Sequence, residues 1–146
     1  MPEHRHPRGL LDTSVVIDLE EIETAALPAE PSISSLTLAE LAAGPHATPD
    51  ASERARRQER LQRAETTFDP LPFDAAAARA FGVIYASVAS SGRKARGRRA
   101  IDLLIAAVAR ASGLPLYTRN PEDFSGLGEL VEVVPVPSTA TPPPRP

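Results

Sequence analysis

Residues 9–17 read Gly-Leu-Leu-Asp-Thr-Ser-Val-Val-Ile, and this stretch contains the two kinds of element from which an α/β fold is built. Its first apolar residues predict a short strand, its polar centre predicts a turn, and its last apolar residues predict a helix. Pro28 and Pro31 follow, and proline both lacks the donor N–H of a helix and disfavours helix in the residue before it. We therefore predict that the first helix is short.

The rest of the chain continues this alternation of short strands with helices. Strands are predicted at 32–36, 114–117 and 131–134, and helices at 37–44, 50–67, 74–91 and 98–112. Such alternation is typical of a parallel sheet covered by helices, so we predict an α/β domain with a largely parallel sheet. Residues 1–8 and the proline-rich residues 136–146 are predicted to be tails, which leaves 9–135 as one folded domain.

Length and composition exclude several classes of protein. The chain has 146 residues and a mass of 15.5 kDa, which fits one domain. It contains no cysteine, so disulfides, cysteine-ligated metals and thiol catalysis are excluded. Its apolar stretches are far shorter than the ~20 residues that a membrane span needs, and residues 1–8 have no long apolar segment typical of a secretory signal. We expect a soluble cytoplasmic protein with no membrane partner.

The net charge of −3 is a weak argument against a general nucleic-acid coat protein, but the cations are unevenly distributed. Residues 93–99 carry five cations and no acid, and we interpret these as candidates for binding nucleic-acid phosphates: Arg93, Lys94, Arg96, Arg98 and Arg99. A second group of arginines, between Arg54 and Arg63, is interspersed with glutamates, which is typical of a solvated helix face. Aromatic residues make up only 4%, so no base-stacking platform is evident.

Two acidic residues follow predicted strands, where parallel sheets bind their ligands. Asp12 directly follows the first strand, and Asp123 lies a few residues beyond the strand at 114–117. Each has a structural alternative. Asp12 is also a natural helix N-cap, and Asp123 falls in a turn opened by Asn120 and Pro121, where acids complement the helix dipole.

Two further acidic residues lie on predicted helices. Glu40 follows Thr37 at the spacing of a capping box, in which it would bind the N-cap amide instead of a ligand. Asp102 interrupts a helix that is apolar on nearly every face, and a buried carboxylate costs several kcal/mol unless it is paired, on the order estimated for proteins. A pair with Arg98, one turn earlier, and a metal or catalytic role both remain open.

Taken together, these four acids favour a divalent metal site. Carboxylates gathered in one pocket repel one another unless a cation neutralises them. Mg²⁺ or Mn²⁺ accepts oxygen ligands, activates water and stabilises charge on a phosphoryl group. Acids for the metal beside cations for phosphates are what metal-assisted phosphodiester hydrolysis requires.

Four motifs occur in order along the chain. Residues 10–15 read Leu-Leu-Asp-Thr-Ser-Val, 35–41 read Ser-Leu-Thr-Leu-Ala-Glu-Leu, 102–107 read Asp-Leu-Leu-Ile-Ala-Ala, and 118–124 read Thr-Arg-Asn-Pro-Glu-Asp-Phe. With these motifs the chain resembles the PIN-domain ribonucleases and, among them, the VapC toxins of bacterial toxin–antitoxin pairs. The resemblance covers residues 9–135.

This resemblance implies a three-layer PIN-like fold and a Mg²⁺- or Mn²⁺-dependent endoribonuclease that leaves 5′-phosphate and 3′-hydroxyl ends on RNA. Asp12 and Asp102 would be the principal metal ligands, and Glu40 and Asp123 would complete the catalytic acids. Four polar residues match supporting positions of the family: Thr13, Ser14, Thr118 and Asn120. The resemblance also implies a VapB-like antitoxin that inserts a tail into the site, and a homodimer.

Other functions remain open from the sequence. The chain could be a catalytically idle PIN-like module that binds RNA or a partner. A phosphatase of the haloacid-dehalogenase type or a receiver domain would also place an aspartate after the first strand. However, Ser14 stands where that phosphatase has a second aspartate, and no acidic pair precedes Asp12 as in a receiver. We interpret His4 and His6 as incidental residues of the N-terminal tail.

Overall fold

A four-stranded parallel sheet forms the centre of the molecule. In the computed structural model, which describes residues 6–92 and 97–137 apart from the side chain of Arg98, the sheet order is β2-β1-β3-β4. The strands are β1 (Arg8–Leu11), β2 (Glu30–Ser32), β3 (Leu116–Thr118) and β4 (Val133–Pro135). Because all three strand pairs are parallel, the predicted α/β fold with a largely parallel sheet is confirmed.

In the described part of the chain, five α-helices connect these strands. They are α1 (Thr13–Ile17), α2 (Ser35–Ala43), α3 (Ala51–Thr67), α4 (Ala75–Ser90) and α5 (Arg98–Ser112), and a 3-10 turn at Pro121–Phe124 follows β3. The side chains of Asp50 and Asp74 accept backbone N–H bonds in the first turns of α3 and α4, which is how aspartate begins a helix. α1 has only five residues, in agreement with the short first helix predicted from the prolines.

Apolar clusters cover both faces of the sheet. Successive strand residues point to opposite faces, so Leu10 and Leu116 join one cluster while Leu11 and Tyr117 join the other. The first cluster packs against α4 and α5, and the second packs against α1, α2 and α3. The domain therefore has three layers, with the sheet between two layers of helices, as the PIN resemblance implies.

A close contact in the sheet depends on Gly9. A Cβ atom at this position would lie 2.6 Å from the Tyr117 ring and 3.1 Å from the Pro28 ring. Tyr117 is fully buried, so its ring has little room to move away. The Tyr117 ring can therefore pack this closely against β1 because residue 9 has no side chain.

The second strand and its helix begin earlier than predicted. β2 ends at Ser32, where the sequence predicts a strand to residue 36, and Ser34 rather than Thr37 is the N-cap of α2. The Ser34 hydroxyl accepts the Thr37 N–H at 3.2 Å. The capping-box interpretation of Glu40 is therefore wrong, because Glu40 lies beyond the first turn of α2. Ser34 also pairs with Leu71 through an isolated parallel bridge.

The ends of the described chain contact the folded domain. The Pro7 carbonyl accepts the Glu30 N–H at 2.9 Å, and His6 lies 3.1 Å from Glu132. Val136 is buried, and its N–H donates to the Thr118 carbonyl. His4 and residues 138–146 lie outside the described residues. Within the described part of the chain, no helix is both long and apolar enough to cross a membrane.

Candidate active site

The four predicted acids meet in one cavity at the carboxyl edge of the sheet. The cavity has a volume of about 400 Å³. Asp12 follows β1, Glu40 comes from α2, Asp102 from α5, and Asp123 from the turn after β3. The other lining residues are Thr13, Ser14, Ile17, Asp18, Arg119 and Asn120. Residues from four separate segments thus form a single acidic pocket.

Asp12 is held in this pocket by two hydroxyl groups. It stands at the N-cap position of α1, but its side chain makes no capping bond. Instead its Oδ2 atom accepts hydrogen bonds from Ser14 Oγ at 2.9 Å and from Thr118 Oγ1 at 2.8 Å. Asp12 is only 5% exposed, so these two donors are its main compensation for lost water. They fix the direction in which the carboxylate faces the cavity.

The same two hydroxyls connect Asp12 to the loop after β3. Each hydroxyl has one proton, and each donates it to Asp12, so its lone pairs remain free to accept. Ser14 Oγ accepts the backbone N–H of Arg119 at 3.1 Å, and Thr118 Oγ1 accepts that of Asn120 at 3.0 Å. The position of the carboxylate is therefore coupled to the backbone of the loop that carries Asp123.

Glu40 is oriented by a chain of threonine hydroxyls. Thr13 Oγ1 donates to Glu40 Oε1 at 2.5 Å. Thr13 Oγ1 also lies 2.9 Å from the hydroxyl of the buried Thr37. Because the single proton of Thr13 goes to Glu40, Thr37 is the donor in the second bond. Thr37 thus supports Glu40 through Thr13, and not through the capping box that their spacing in the sequence suggests.

Asp102 and Asp123 complete the acidic pocket from the opposite helical layer. Both are half-buried. Asp102 lies in the second turn of α5, and Asp123 lies in the 3-10 turn that Asn120 and Pro121 open. Asn120 occupies the N-cap position of this turn without making a side-chain capping bond.

The predicted phosphate-binding cations are only partly described. Arg93, Lys94 and Arg96 lie outside the described residues, as does the side chain of Arg98. Arg99 is described, and its Nη1 donates to the Asp123 carbonyl at 3.0 Å. Its Nε and Nη2 are buried and have no hydrogen-bond partner among the described residues. In this structure Arg99 therefore supports the turn that carries Asp123.

Two charged residues that line the cavity, Arg119 and Asp18, are not among the site residues predicted from the sequence. Arg119 Nη1 donates to Asp18 Oδ2 at 2.5 Å. A signal for Arg119 was available, since it directly follows a predicted strand and lies inside the last of the four motifs. Asp18 gave no such signal, because it follows α1 rather than a strand and its partner is 101 residues away.

The donor set of the pocket suits a hard divalent cation. Its carboxylate and hydroxyl groups offer only oxygen ligands, which Mg²⁺ and Mn²⁺ prefer. Among the described residues, no group of three or more acidic or histidine side chains is already arranged as a metal-binding cluster. Mg²⁺ commonly keeps several waters and takes one or two carboxylates directly, so the pocket fits such an ion without a complete protein cage.

A second charged group lies beside the acidic pocket on α3. A neighbouring cavity shares Thr13, Ile17 and Glu40 with the pocket and is also lined by Glu53 and Arg57. Arg57 Nε donates to Glu53 Oε2 at 2.8 Å, and Arg56 contacts the other oxygen. The hydrogen bond from Arg57, followed by that from Arg56, lowers the pKa of Glu53 below its ordinary value.

A parallel sheet with acids gathered at its carboxyl edge is the arrangement of a PIN domain, and comparison with known families agrees. The PIN domain family model matches residues 9–130, so the chain belongs to the PIN domain family. This membership confirms the resemblance drawn from the four motifs. Membership in the PIN family also argues against the other two classes considered from the sequence, a phosphatase of the haloacid-dehalogenase type and a receiver domain.

Within this family, the chain is similar to "Ribonuclease VapC5" of Mycobacterium tuberculosis (strain ATCC 25618 / H37Rv). The two are 36% identical over 128 residues, which cover 86% of this chain and 91% of the relative. A crystal structure of VapBC-5 from M. tuberculosis, described as a member of the VapBC family of toxin–antitoxin systems, matches with a TM-score of 0.78 and 36% identity. That match covers 89% of this chain and 99% of the other.

A more distant match supports the fold alone. VapBC2 from Rickettsia felis, bound to a DNA fragment from its promoter, matches with a TM-score of 0.67 at 22% identity. The match covers 86% of this chain and 98% of that one. The three-layer architecture is thus retained where most of the sequence differs.

Proposed function

We propose that this protein is a metal-dependent endoribonuclease and the toxin of a toxin–antitoxin pair. The observation that carries the proposal is the convergence of Asp12, Glu40, Asp102 and Asp123 on one cavity of about 400 Å³. Membership in the PIN family and the name of the relative, ribonuclease VapC5, support the same activity. Hydrolysis of RNA phosphodiester bonds is the reaction for which such an all-oxygen site is suited.

The four acids would hold Mg²⁺ or Mn²⁺, with Asp12 and Asp102 as the principal ligands. A bound divalent ion supplies an activated water and neutralises the charge that develops on the phosphoryl group. Ser14 and Thr118 orient Asp12 through their donated hydrogen bonds, and Thr13 orients Glu40. These hydroxyls keep the carboxylates in fixed directions before RNA arrives, which lowers the reorganisation that the reaction requires.

The remaining polar residues have supporting roles. Asn120 ties the loop after β3 to Thr118 through its backbone N–H. Arg99 holds the turn that carries Asp123. The other cations of residues 93–99 precede Arg99 directly in the sequence. Arg93, Lys94, Arg96 and Arg98 therefore remain the candidates from the sequence for binding RNA phosphates.

The partners follow from the same family. The match to a VapBC toxin–antitoxin structure supports a VapB-like antitoxin as the partner that blocks the site. RNA is the proposed substrate, and a homodimer and a cytoplasmic location are the family's expectations for this chain. A small inhibitory partner is consistent with an open acidic cavity that a protein tail could enter.

The decisive experiment compares total bacterial RNA incubated with the antitoxin-free protein in Mg²⁺, in Mn²⁺ and in EDTA. Asp102→Asn is the test variant because it removes one charge while conserving shape. Asp69→Asn is the matched control, since Asp69 is exposed and lies outside the cavity. We expect discrete fragments in either metal, their loss in EDTA and in Asp102→Asn, and their retention in Asp69→Asn. Circular dichroism checks that both variants are folded.

The outcomes separate the proposed enzyme from an idle module. Fragments with 5′-phosphate ends that require both the metal and Asp102 support the nuclease. RNA binding without cleavage in either metal favours a catalytically idle PIN-like module instead. Equal cleavage by Asp102→Asn and the wild type would rule out Asp102 as a catalytic residue.

A further inference from the structure

Arg119 is anchored at both ends beside the acidic pocket. Its backbone N–H donates to Ser14 Oγ, the hydroxyl that also holds Asp12. Its guanidinium donates through Nη1 to Asp18, at the end of α1. The loop after β3 and the end of α1 thus fix the Arg119 side chain along the wall of the cavity.

Arg119 is the only cation among the described residues that line this cavity. The same lining contains five carboxylates: Asp12, Asp18, Glu40, Asp102 and Asp123. An RNA backbone that enters the cavity is repelled by these carboxylates, and one divalent ion offsets only two of their charges. A guanidinium at the wall is therefore the described group best suited to attract a phosphate there.

The guanidinium retains donors for such a phosphate. Arginine has five N–H donors in a planar fork that matches phosphate oxygens. Among the described residues, only Nη1 of this guanidinium has a hydrogen-bond partner. The side chain of Arg119 is 22% exposed, and that of Asp18 is 37% exposed. An ion pair this exposed contributes little to stability. We therefore interpret the bond to Asp18 as one that orients the remaining N–H groups of Arg119.

We propose that Arg119 binds a backbone phosphate of the RNA next to the bond that is cut, and that Asp18 is a positioning residue for Arg119. This inference rests on the ribonuclease function proposed above. Asp18 takes up one donor and restricts the rotamers of Arg119, which leaves the other N–H groups of the fork for a phosphate. Arg119 is thus a candidate for binding phosphate in addition to the cations of residues 93–99 predicted from the sequence.

The test measures binding of a short single-stranded RNA of mixed sequence across a series of salt concentrations. Ca²⁺ replaces Mg²⁺ in these titrations, and a gel verifies that the RNA stays intact. Arg119→Gln removes the cation, Arg119→Lys retains the charge, and Arg79→Gln is the control because Arg79 is exposed on α4 outside the cavity. A plot of the logarithm of the binding constant against the logarithm of the salt concentration has a negative slope. Removal of one cation from an RNA phosphate makes this slope shallower by about 0.7 for single strands.

We expect Arg119→Gln to reduce the slope by about 0.7, while Arg119→Lys and Arg79→Gln retain the wild-type slope. With Mg²⁺, Arg119→Gln lowers kcat/KM about 10- to 100-fold, the range for removal of a hydrogen bond to a charged group. Asp18→Asn leaves the slope unchanged, because Arg119 remains charged, but it lowers kcat. That split between binding and kcat distinguishes positioning from a merely structural ion pair.

Two results would overturn the inference. One is a wild-type salt slope in Arg119→Gln, and the other is an unchanged kcat in Asp18→Asn. The wild-type protein is assayed in parallel for metal-dependent cleavage. If the wild type cleaves RNA and either result is found, the role of Arg119 and Asp18 fails while the proposed ribonuclease function stands. If the wild type does not cleave, the ribonuclease function itself fails.

Discussion

Replacing Thr118 with valine tests whether the hydroxyl that holds Asp12 is needed for catalysis. The substitution keeps the branched shape of the side chain and removes only its hydroxyl. Thr118 is fully buried and Asp12 is 5% exposed, so water has little access to replace the missing donor. Asp12 Oδ2 then keeps Ser14 as its one hydroxyl donor among the described residues.

The size of the effect follows from this geometry. The bond from Thr118 to Asp12 is 2.8 Å long and has a charged acceptor. Hydrogen bonds to charged groups contribute about 1.5–3 kcal/mol, which corresponds to about 10- to 100-fold in an equilibrium or rate constant. Residues that orient metal ligands have effects of the same size, about 10- to 100-fold in metal affinity or activity. We therefore expect Thr118→Val to lower kcat/KM by about 10- to 100-fold.

The assay is RNA cleavage at increasing Mn²⁺ concentration, which yields kcat/KM and the half-saturating metal concentration. Thr118→Val should need more Mn²⁺ for half-maximal activity, since its Asp12 carboxylate is less well oriented. Thr66→Val is the matched control, because among the described residues the exposed Thr66 hydroxyl bonds only the Gln62 carbonyl of α3. Thermal unfolding of both variants verifies that they are folded at the assay temperature.

The reasoning is refuted if Thr118→Val retains the wild-type kcat/KM and half-saturating Mn²⁺ concentration. That result would mean that Ser14 alone is sufficient to orient Asp12. A loss of activity in Thr66→Val equal to that in Thr118→Val would also count against it. In that case the loss would reflect the removal of any threonine hydroxyl rather than the one that binds Asp12.

Two further predictions concern the fold and its surface charge. Gly9→Ala places a Cβ atom 2.6 Å from the Tyr117 ring, so we expect it to lower the free energy of unfolding by about 1–3 kcal/mol; an unchanged urea midpoint would contradict this. Arg57→Gln removes the main cause of the low pKa of Glu53, so that pKa should rise toward its ordinary value in an NMR titration, and an unchanged pKa would exclude the cause. Because the pKa of Glu53 is lowered in the folded protein, its ionised form stabilises the fold above the unfolded-state pKa, and this contribution is lost as the pH falls through the lowered value.

The existence and order of most elements could be predicted from local sequence. Proline, glycine and aspartate act on their immediate neighbours, and the boundaries of α3 and α5 agree with the prediction within one residue. Strand boundaries were less accurate. β3 begins at Leu116 rather than at residue 114, because a strand begins where a neighbouring strand can pair with it. A local pattern does not contain that information.

The four acids could likewise be selected from the sequence, because two follow predicted strands, one lies on the helix after a predicted strand, and Asp102 interrupts an apolar helix. The pairing of these acids with their hydroxyl partners could not, although Thr13, Ser14 and Thr118 were predicted as supporting residues. The bond from Thr118 to Asp12 joins residues 106 apart, and that from Arg119 to Asp18 joins residues 101 apart. The capping-box alternative for Glu40 was wrong for the same reason, since the partner of Glu40, Thr13, is 27 residues away.

Two levels of specification can therefore be separated in this protein. Local chemistry in the chain specifies the alternation of strands and helices and supplies the carboxylates at the ends of those elements. The order of the strands in the sheet brings the ends of β1 and β3 side by side, and only then do Thr118 and Arg119 reach Asp12, Ser14 and Asp18. A hydrogen bond acts over about 3 Å, so the pairs that orient the site depend on which distant segments the packed sheet makes neighbours.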